Sequence, residues 1–159
     1  MMIRHQSHQM RGQHEKESPT FTYSLEPERL ALQATKKHRE VPDKANNTLL
    51  AATWNLTNFG VQERTDDDIA LMAEIVSWFD LVAVQEVADE LTDLRRLVSN
   101  LESNYKVILS DIGGNNERAG FIYESNKVER LELAAEVAEP PSQRRFIRIG
   151  RCIRIVRRL

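Results

Sequence analysis

The apolar residues of this chain fall into short blocks with two rhythms. Leu49–Leu56 (LLAATWNL) and Leu81–Val84 (LVAV) are near-continuous runs of strand-forming residues, the pattern of strands covered on both faces. Between them Ile69, Met72, Ile75, Val76 and Phe79 recur at helical spacing, which predicts a helix over Thr65–Phe79. Thr65 is placed to cap it, and Asp66, Asp67 and Asp68 suit the positive end of its dipole. Leu91, Leu94, Leu97, Val98 and Leu101 mark a second helix from about Glu90 to Leu101. Tyr105–Leu109 and Gly120–Tyr123 read as the next two strands, separated by the Gly113-Gly114-Asn115-Asn116 turn. Ser125-Asn126 then turns the chain into a fifth strand, Val128–Val137. Upstream, Leu25–Arg39 reads as a helix with Pro27 near its first turn, and Val41–Asn47, which contains Pro42, as a linker. Met1–Thr20 is polar, rich in His and Gln and without periodicity, the mark of a disordered or vector-like extension.

The order β-α-β-α-β-β-β predicts an α/β fold, a mixed sheet covered by helices on at least one face. A chain of 159 residues suits one domain. We expect a polar extension and linker, partly helical, over 1–47, the folded unit over 48–139, and a basic tail over 140–159. Trp54 and Trp78 are expected in the core, with Trp78 on the packed side of its helix.

Charge changes this picture at one end. The net charge is −2, yet no acidic residue follows Glu139, while Arg144, Arg145, Arg148, Arg151, Arg154, Arg157 and Arg158 do. With those arginines set aside, Met1–Gln143 carries −9, so the folded part is acidic and the tail strongly basic. Arginine recurs at every third position from Arg145 to Arg157, which fits neither strand nor helix periodicity. Cys152 is the one cysteine, so no internal disulfide forms and the chain suits a reducing compartment. The N-terminus holds no apolar segment of a secretory signal. Nor does any apolar stretch approach the roughly 20 residues of a membrane span. The expectation is a soluble, cytoplasmic protein without membrane contact.

The candidate chemistry sits where two strands end. The first apolar run finishes on Trp54-Asn55 and the second on Gln85-Glu86, and in open α/β sheets ligands bind beyond the carboxyl ends of strands. A carboxamide and a carboxylate aimed at one crevice suit a divalent cation and a phosphate ester. Glu86 closes an apolar strand, where an unpaired charge would be expensive, and a hard carboxylate oxygen selects Mg²⁺ or Mn²⁺ over zinc. Asn55 offers both an acceptor toward the metal's water shell and a donor toward phosphate. It also begins an Asn-Leu-Thr sequon, which a cytoplasmic strand end leaves unglycosylated.

At these residues the chain resembles a known family. Thr53–Gly60 (TWNLTNFG), Asp80–Val87 (DLVAVQEV) and Asn116–Val128 (NERAGFIYESNKV) are similar to the first motifs of the endonuclease/exonuclease/phosphatase superfamily, whose fold is deoxyribonuclease I-like. The resemblance covers roughly Leu49–Val137. It implies a deoxyribonuclease I-like α/β sandwich and a Mg²⁺-dependent (or Mn²⁺-dependent) phosphoester hydrolase. Within that class an endonuclease or phosphodiesterase is expected, acting on nucleic acid or another phosphodiester. Carried over residue by residue, Asn55 matches the asparagine that contacts metal and phosphate, and Glu86 the glutamate that ligates Mg²⁺. Glu117 matches the glutamate that in nuclease members holds a catalytic histidine, and Arg118 after it points the same way. Thr57 stands where some members have Asp or Arg.

The rest of the family's pattern is missing. Such enzymes need a downstream histidine, an Asp-x-Asn pair and a closing Asp-His pair. Here His5, His8, His14 and His38 all precede the first strand, and no aspartate follows Asp111. Without a His/Asp dyad nothing takes the proton from water. We therefore expect the N-terminal half of such a domain, truncated or read out of frame in the arginine tail, and inactive by itself. Two other readings stay open. One is a remnant that binds nucleic acid through its basic tail; the other is a site completed by a second chain that supplies the missing half. Asn115 reads as a turn former, Cys152 as inert, and the histidines as solvated.

Overall fold

The computed structural model describes residues 22–113, 116–130, 136–137, 148–149 and 153–155. It is an α/β arrangement in which a mixed sheet of four strands carries helices on one face. Helix α1 is Leu25–His38, strand β1 Ala51–Phe59, helix α2 Asp66–Ser77, strand β2 Leu81–Ala88, helix α3 Thr92–Ser99, strand β3 Tyr105–Leu109 and strand β4 Glu117–Glu124. The spatial order is β1-β2-β4-β3. The first pair is parallel and is joined through α2, the crossover that parallel neighbours require. The pairs β2–β4 and β3–β4 are antiparallel.

Helices form where local signals agree. Thr65 Oγ1 accepts from Asp68 N at 3.1 Å, while Asp68 Oδ2 accepts from Thr65 N at 2.7 Å, so α2 begins on a complete capping box. Ile69, Met72 and Val76 of α2, with Leu94 and Leu97 of α3, bury against Leu56 and Phe59 of β1, Val82, Val84 and Val87 of β2, and Ile122 of β4. Trp54 packs at the margin of this core. The opposite face of the sheet holds a smaller cluster of Leu81, Tyr123 and Val128, flanked by Leu49, Ile108 and Phe121. At Gly120 a β-carbon would lie 2.3 Å from the carbonyl oxygen of Ile108, so β3 and β4 meet there only because the side chain is absent.

Three expectations need correction. Trp78 does not lie on the packed face of α2. The helix stops at Ser77, and Trp78 forms its C-cap, half-buried, with its indole N–H donating to Glu74 Oε1 at 3.2 Å. The single strand expected over Val128–Val137 is not one element. Its described parts are β5, Val128–Arg130, and β6, Glu136–Val137, in separate two-stranded sheets. The basic segment does contain strands. Strand β7, Arg148–Ile149, pairs with β6, and β8, Ile153–Ile155, pairs with β5, both antiparallel. Within the period-three arginines, Arg148-Ile149 and Ile153-Arg154-Ile155 alternate with period two, which is the strand rhythm. The polar extension 1–20, Asn115 and Cys152 lie outside the described residues.

Asp80 anchors the end of the sheet away from the candidate crevice. It has no exposed surface. Its carboxylate accepts from Leu50 N at 2.8 Å and from Lys127 Nζ at 3.0 Å, and Lys44 Nζ stands 3.7 Å away. Its backbone N–H donates to Leu50 O and its carbonyl accepts from Glu124 N, both at 2.8 Å. One residue thereby ties the entry to β1, the start of β2 and the end of β4. Lys44 also donates to the Tyr105 hydroxyl and to Glu124. Burial alone would lower its pKa, but those partners outweigh it and raise it. No helix among the described residues is long and apolar enough to cross a membrane.

Two outcomes test this account. Asp80→Asn removes the charge that neutralises two lysines, and the loss of a buried ionic partner lowers unfolding stability by about 3–5 kcal/mol, read by denaturant titration. The second concerns pH. Burial would raise the pKa of Asp68, but hydrogen bonds from the Tyr23 hydroxyl and from Thr65 outweigh it and hold it below the ordinary carboxylate value. A depressed carboxylate contributes stability above its unfolded pKa of about 3.9 and loses it as pH falls through the lower folded value. The midpoint advantage of wild type over Asp68→Asn is therefore full at pH 5 and shrinks steadily below about pH 4.

Candidate functional site

The site is built by two strands that leave their ladder together. Ala51 to Asn55 of β1 pair in register with Leu81 to Gln85 of β2, and the next pair is Phe59 with Val87. Four steps along β1 thus face two along β2, leaving two extra residues on the edge strand. On the other side of β2, Val84 faces Gly120 and Val87 faces Arg118, so β2 carries one extra residue against β4. Bulges of this kind bend a strand and re-aim its side chains. The two irregularities coincide at Asn55 and Glu86.

The extra residues take unusual backbone. Thr57, Asn58 and Glu86 have φ of 48°, 51° and 58°, and Gly60 has 99°. L-residues other than Asn and Asp rarely occupy that region, and each costs about 1–2 kcal/mol there. Glycine is required at position 60 on two counts, since a β-carbon would also lie 2.5 Å from the Glu90 carbonyl oxygen. What holds the distortion is a closed set of hydrogen bonds. Asn55 Oδ1 accepts from Thr57 N at 2.8 Å, and Asn55 Nδ2 donates to Glu86 Oε1 at 2.6 Å. Glu86 Oε2 accepts from Asn58 N at 3.4 Å, and Asn58 O accepts from Val61 N at 2.9 Å. Phe59 then returns to the core, almost fully buried.

Of the residues singled out from sequence, Asn55 and Glu86 therefore meet directly. Asn55 is exposed and Glu86 half-buried. Glu117 is the first residue of β4 and pairs with Ala88, two residues past Glu86, so it stands at the same end of the sheet. Its carbonyl accepts from Gly113 N at 2.9 Å, which closes the β3–β4 turn. Arg118 beside it donates to Ser110 O at 2.9 Å and to Asp89 Oδ1 at 2.8 Å. Gln85 turns to Thr53 Oγ1 at 3.2 Å. The Asn58 N–H, which reaches Glu86, and Arg64, whose guanidinium donates to the Leu56 and Thr57 carbonyls, were not read from sequence. Asn58 had a signal, a second asparagine in the same strand end; Arg64 had none.

A carboxylate has about four lone-pair positions, and Glu86 accepts from Asn55 Nδ2 and Asn58 N. Its remaining acceptor capacity is that of a hard oxygen donor. That donor chemistry fits Mg²⁺ or Mn²⁺, which one or two protein carboxylates commonly hold together with water and phosphate oxygens. Among the described residues no group of three or more His, Cys, Asp and Glu is placed to hold a metal. His38 ends α1, well before β1 in the chain, and the other three histidines lie outside the described residues. So do most of the tail residues and all of its side chains.

No model of a known protein family matches the chain, and no characterised protein matches it.

Strain at the bulge has a direct test. Thr57 is exposed, and its hydrogen bond to Asn55 comes from the backbone. Thr57→Gly removes about 1–2 kcal/mol of left-handed strain against roughly 0.5–1 kcal/mol of added chain entropy. The variant is expected to be more stable than wild type by about 0.5–1 kcal/mol in denaturant unfolding. A loss of stability would show that position 57 is not held left-handed.

Proposed function

We propose that this chain carries the cation- and phosphate-binding part of a Mg²⁺- or Mn²⁺-dependent phosphoester hydrolase of the endonuclease/exonuclease/phosphatase superfamily, with a deoxyribonuclease I-like fold. The substrate class is a phosphodiester, nucleic acid foremost. The observation that carries this reading is the 2.6 Å hydrogen bond from Asn55 Nδ2 to Glu86 Oε1, made across two bulged strand ends. A carboxylate and a carboxamide held together in a costly backbone geometry make sense where their orientation matters more than stability. The mixed sheet with helices on one face and the order of the three motifs are consistent with that family.

The division of labour follows from donor and acceptor chemistry. Glu86 supplies negative charge toward the cation, and its bond from Asn55 fixes which way the carboxylate faces. Asn55 holds Glu86 through its nitrogen and the left-handed turn through its oxygen. When the substrate enters, the same nitrogen can be shared with a phosphate oxygen. When bound, a divalent cation would neutralise phosphate charge and polarise the ester toward attack. Glu117, at the same sheet end, would orient a general base rather than act as one. Every histidine precedes β1 in the sequence, so the downstream base of the family's pattern has no counterpart here, and in this reading turnover draws on groups from elsewhere.

The test is Mn²⁺ titration by calorimetry alongside plasmid nicking with Mg²⁺. We expect Mn²⁺ binding that Glu86→Gln weakens by more than about tenfold and Asn55→Ala by roughly tenfold, with no nicking by the chain alone. Nicking lost in Glu86→Gln would support the hydrolase class and overturn the inactivity of the chain. Failure of the wild type to bind Mn²⁺ would overturn the reading.

A further inference from the structure

The left-handed pair Thr57-Asn58 is held by a residue outside the carboxylate-carboxamide pair. Arg64 lies immediately before the Thr65 cap of α2, and its guanidinium reaches back over the end of β1. One of its terminal nitrogens donates to Leu56 O at 3.1 Å and to Thr57 O at 3.4 Å. The guanidinium carbon sits 5.5 Å from the centroid of the Phe59 ring, a cation–π distance. The Arg64 backbone is itself fixed, because its carbonyl accepts from Arg96 at 3.1 Å. Arg96 is in turn bonded to Asp66 and to Asp93, each at 2.6 Å. A chain of contacts therefore runs from α3 through the start of α2 to the carbonyls on either side of Thr57, in the turn that places Asn55 and Asn58 against Glu86.

We propose that Arg64 is a positioning residue for the cation site. By clamping the Leu56 and Thr57 carbonyls it holds the bulge in the one conformation in which Asn55 Nδ2 and Asn58 N both reach Glu86. The proposal rests on the cation reading of Glu86 given above. A rigid, weakly hydrated guanidinium over an aromatic ring suits this task better than a flexible ammonium. Two alternatives differ in sign. If Arg64 acted on the site only through its charge, removing that charge would tighten the binding of a cation, because like charges repel. If it acts by holding the bulge, removing it weakens cation binding although a positive charge has gone.

The experiment uses the full chain as wild type, Arg64→Ala, Arg64→Lys and Glu86→Gln, with Mn²⁺ alone as the probe. Mn²⁺ affinity, amide hydrogen exchange at Thr57 and Asn58, and thermal midpoint are measured together. Arg64→Ala and Arg64→Lys are expected to weaken Mn²⁺ binding by about tenfold, with faster exchange at the two amides and midpoints within a few degrees of wild type. Weakening in either variant at a near-native midpoint supports the proposal. Unchanged or tighter binding in both, while Glu86→Gln weakens it, overturns the role of Arg64 and leaves the cation site standing. Loss of the fold in both makes Arg64 a purely structural residue and also overturns it. A wild type that binds no Mn²⁺ overturns the cation reading itself, and the proposal with it.

Discussion

A charged group without solvent has to be neutralised by its neighbours, and in this protein that group is Asp80. Moving a carboxylate out of water costs several kcal/mol before any partner is counted. Lys127, Lys44 and the Leu50 N–H offset that cost, the first from the turn after β4 and the other two from the segment before β1. The linker before β1, the start of β2 and the turn after β4 are therefore fixed relative to one another at a single carboxylate. Tyr105 extends the network into β3, donating to the Phe79 carbonyl at 2.9 Å while accepting from Lys44. With the sheet registered at this end, its strands run in phase for five residues before the ladder breaks.

The break at the far end depends on that registration. A strand free to slip would relax Thr57, Asn58 and Glu86 into ordinary extended backbone, Thr57 and Glu86 each gaining about 1–2 kcal/mol. It cannot slip without moving Leu56, Phe59, Val84 and Val87, which are almost fully buried under α2 and α3. Slipping by one residue would turn that apolar set to the other face. The core thus over-determines the backbone, and the strain collects where Asn55 and Glu86 face one another. One end of the sheet is tied for stability, while the other is bent so that two polar side chains meet.

Much of this was legible in local sequence. The strand β3 at Tyr105–Leu109, the Thr65 cap and the apolar stripe of α2 depend on neighbours a few residues apart, and the structure has them as the pattern implies. Trp78 was misplaced because a periodic stripe does not mark where a helix ends, and the hydrogen bond to Glu74 draws the indole aside. The strands at Arg148–Ile149 and Ile153–Ile155 were hidden because arginine at every third position masks an alternation only two or three residues long.

The candidate site divides in the same way. That Asn55 and Glu86 end two apolar strands, and that such ends suit a cation and a phosphate, can be read from the order of residues alone. The sequence by itself determined the residue types, the Thr65 cap and the mixed character of the sheet. Only the tertiary structure decided that Asn55 donates to Glu86, that three non-glycine residues there are left-handed, and that Arg64 donates to the Leu56 and Thr57 carbonyls. Those facts depend on how many residues each strand spends between shared core contacts. That number is set when β1 and β2, 30 residues apart in register, pack against the same two helices.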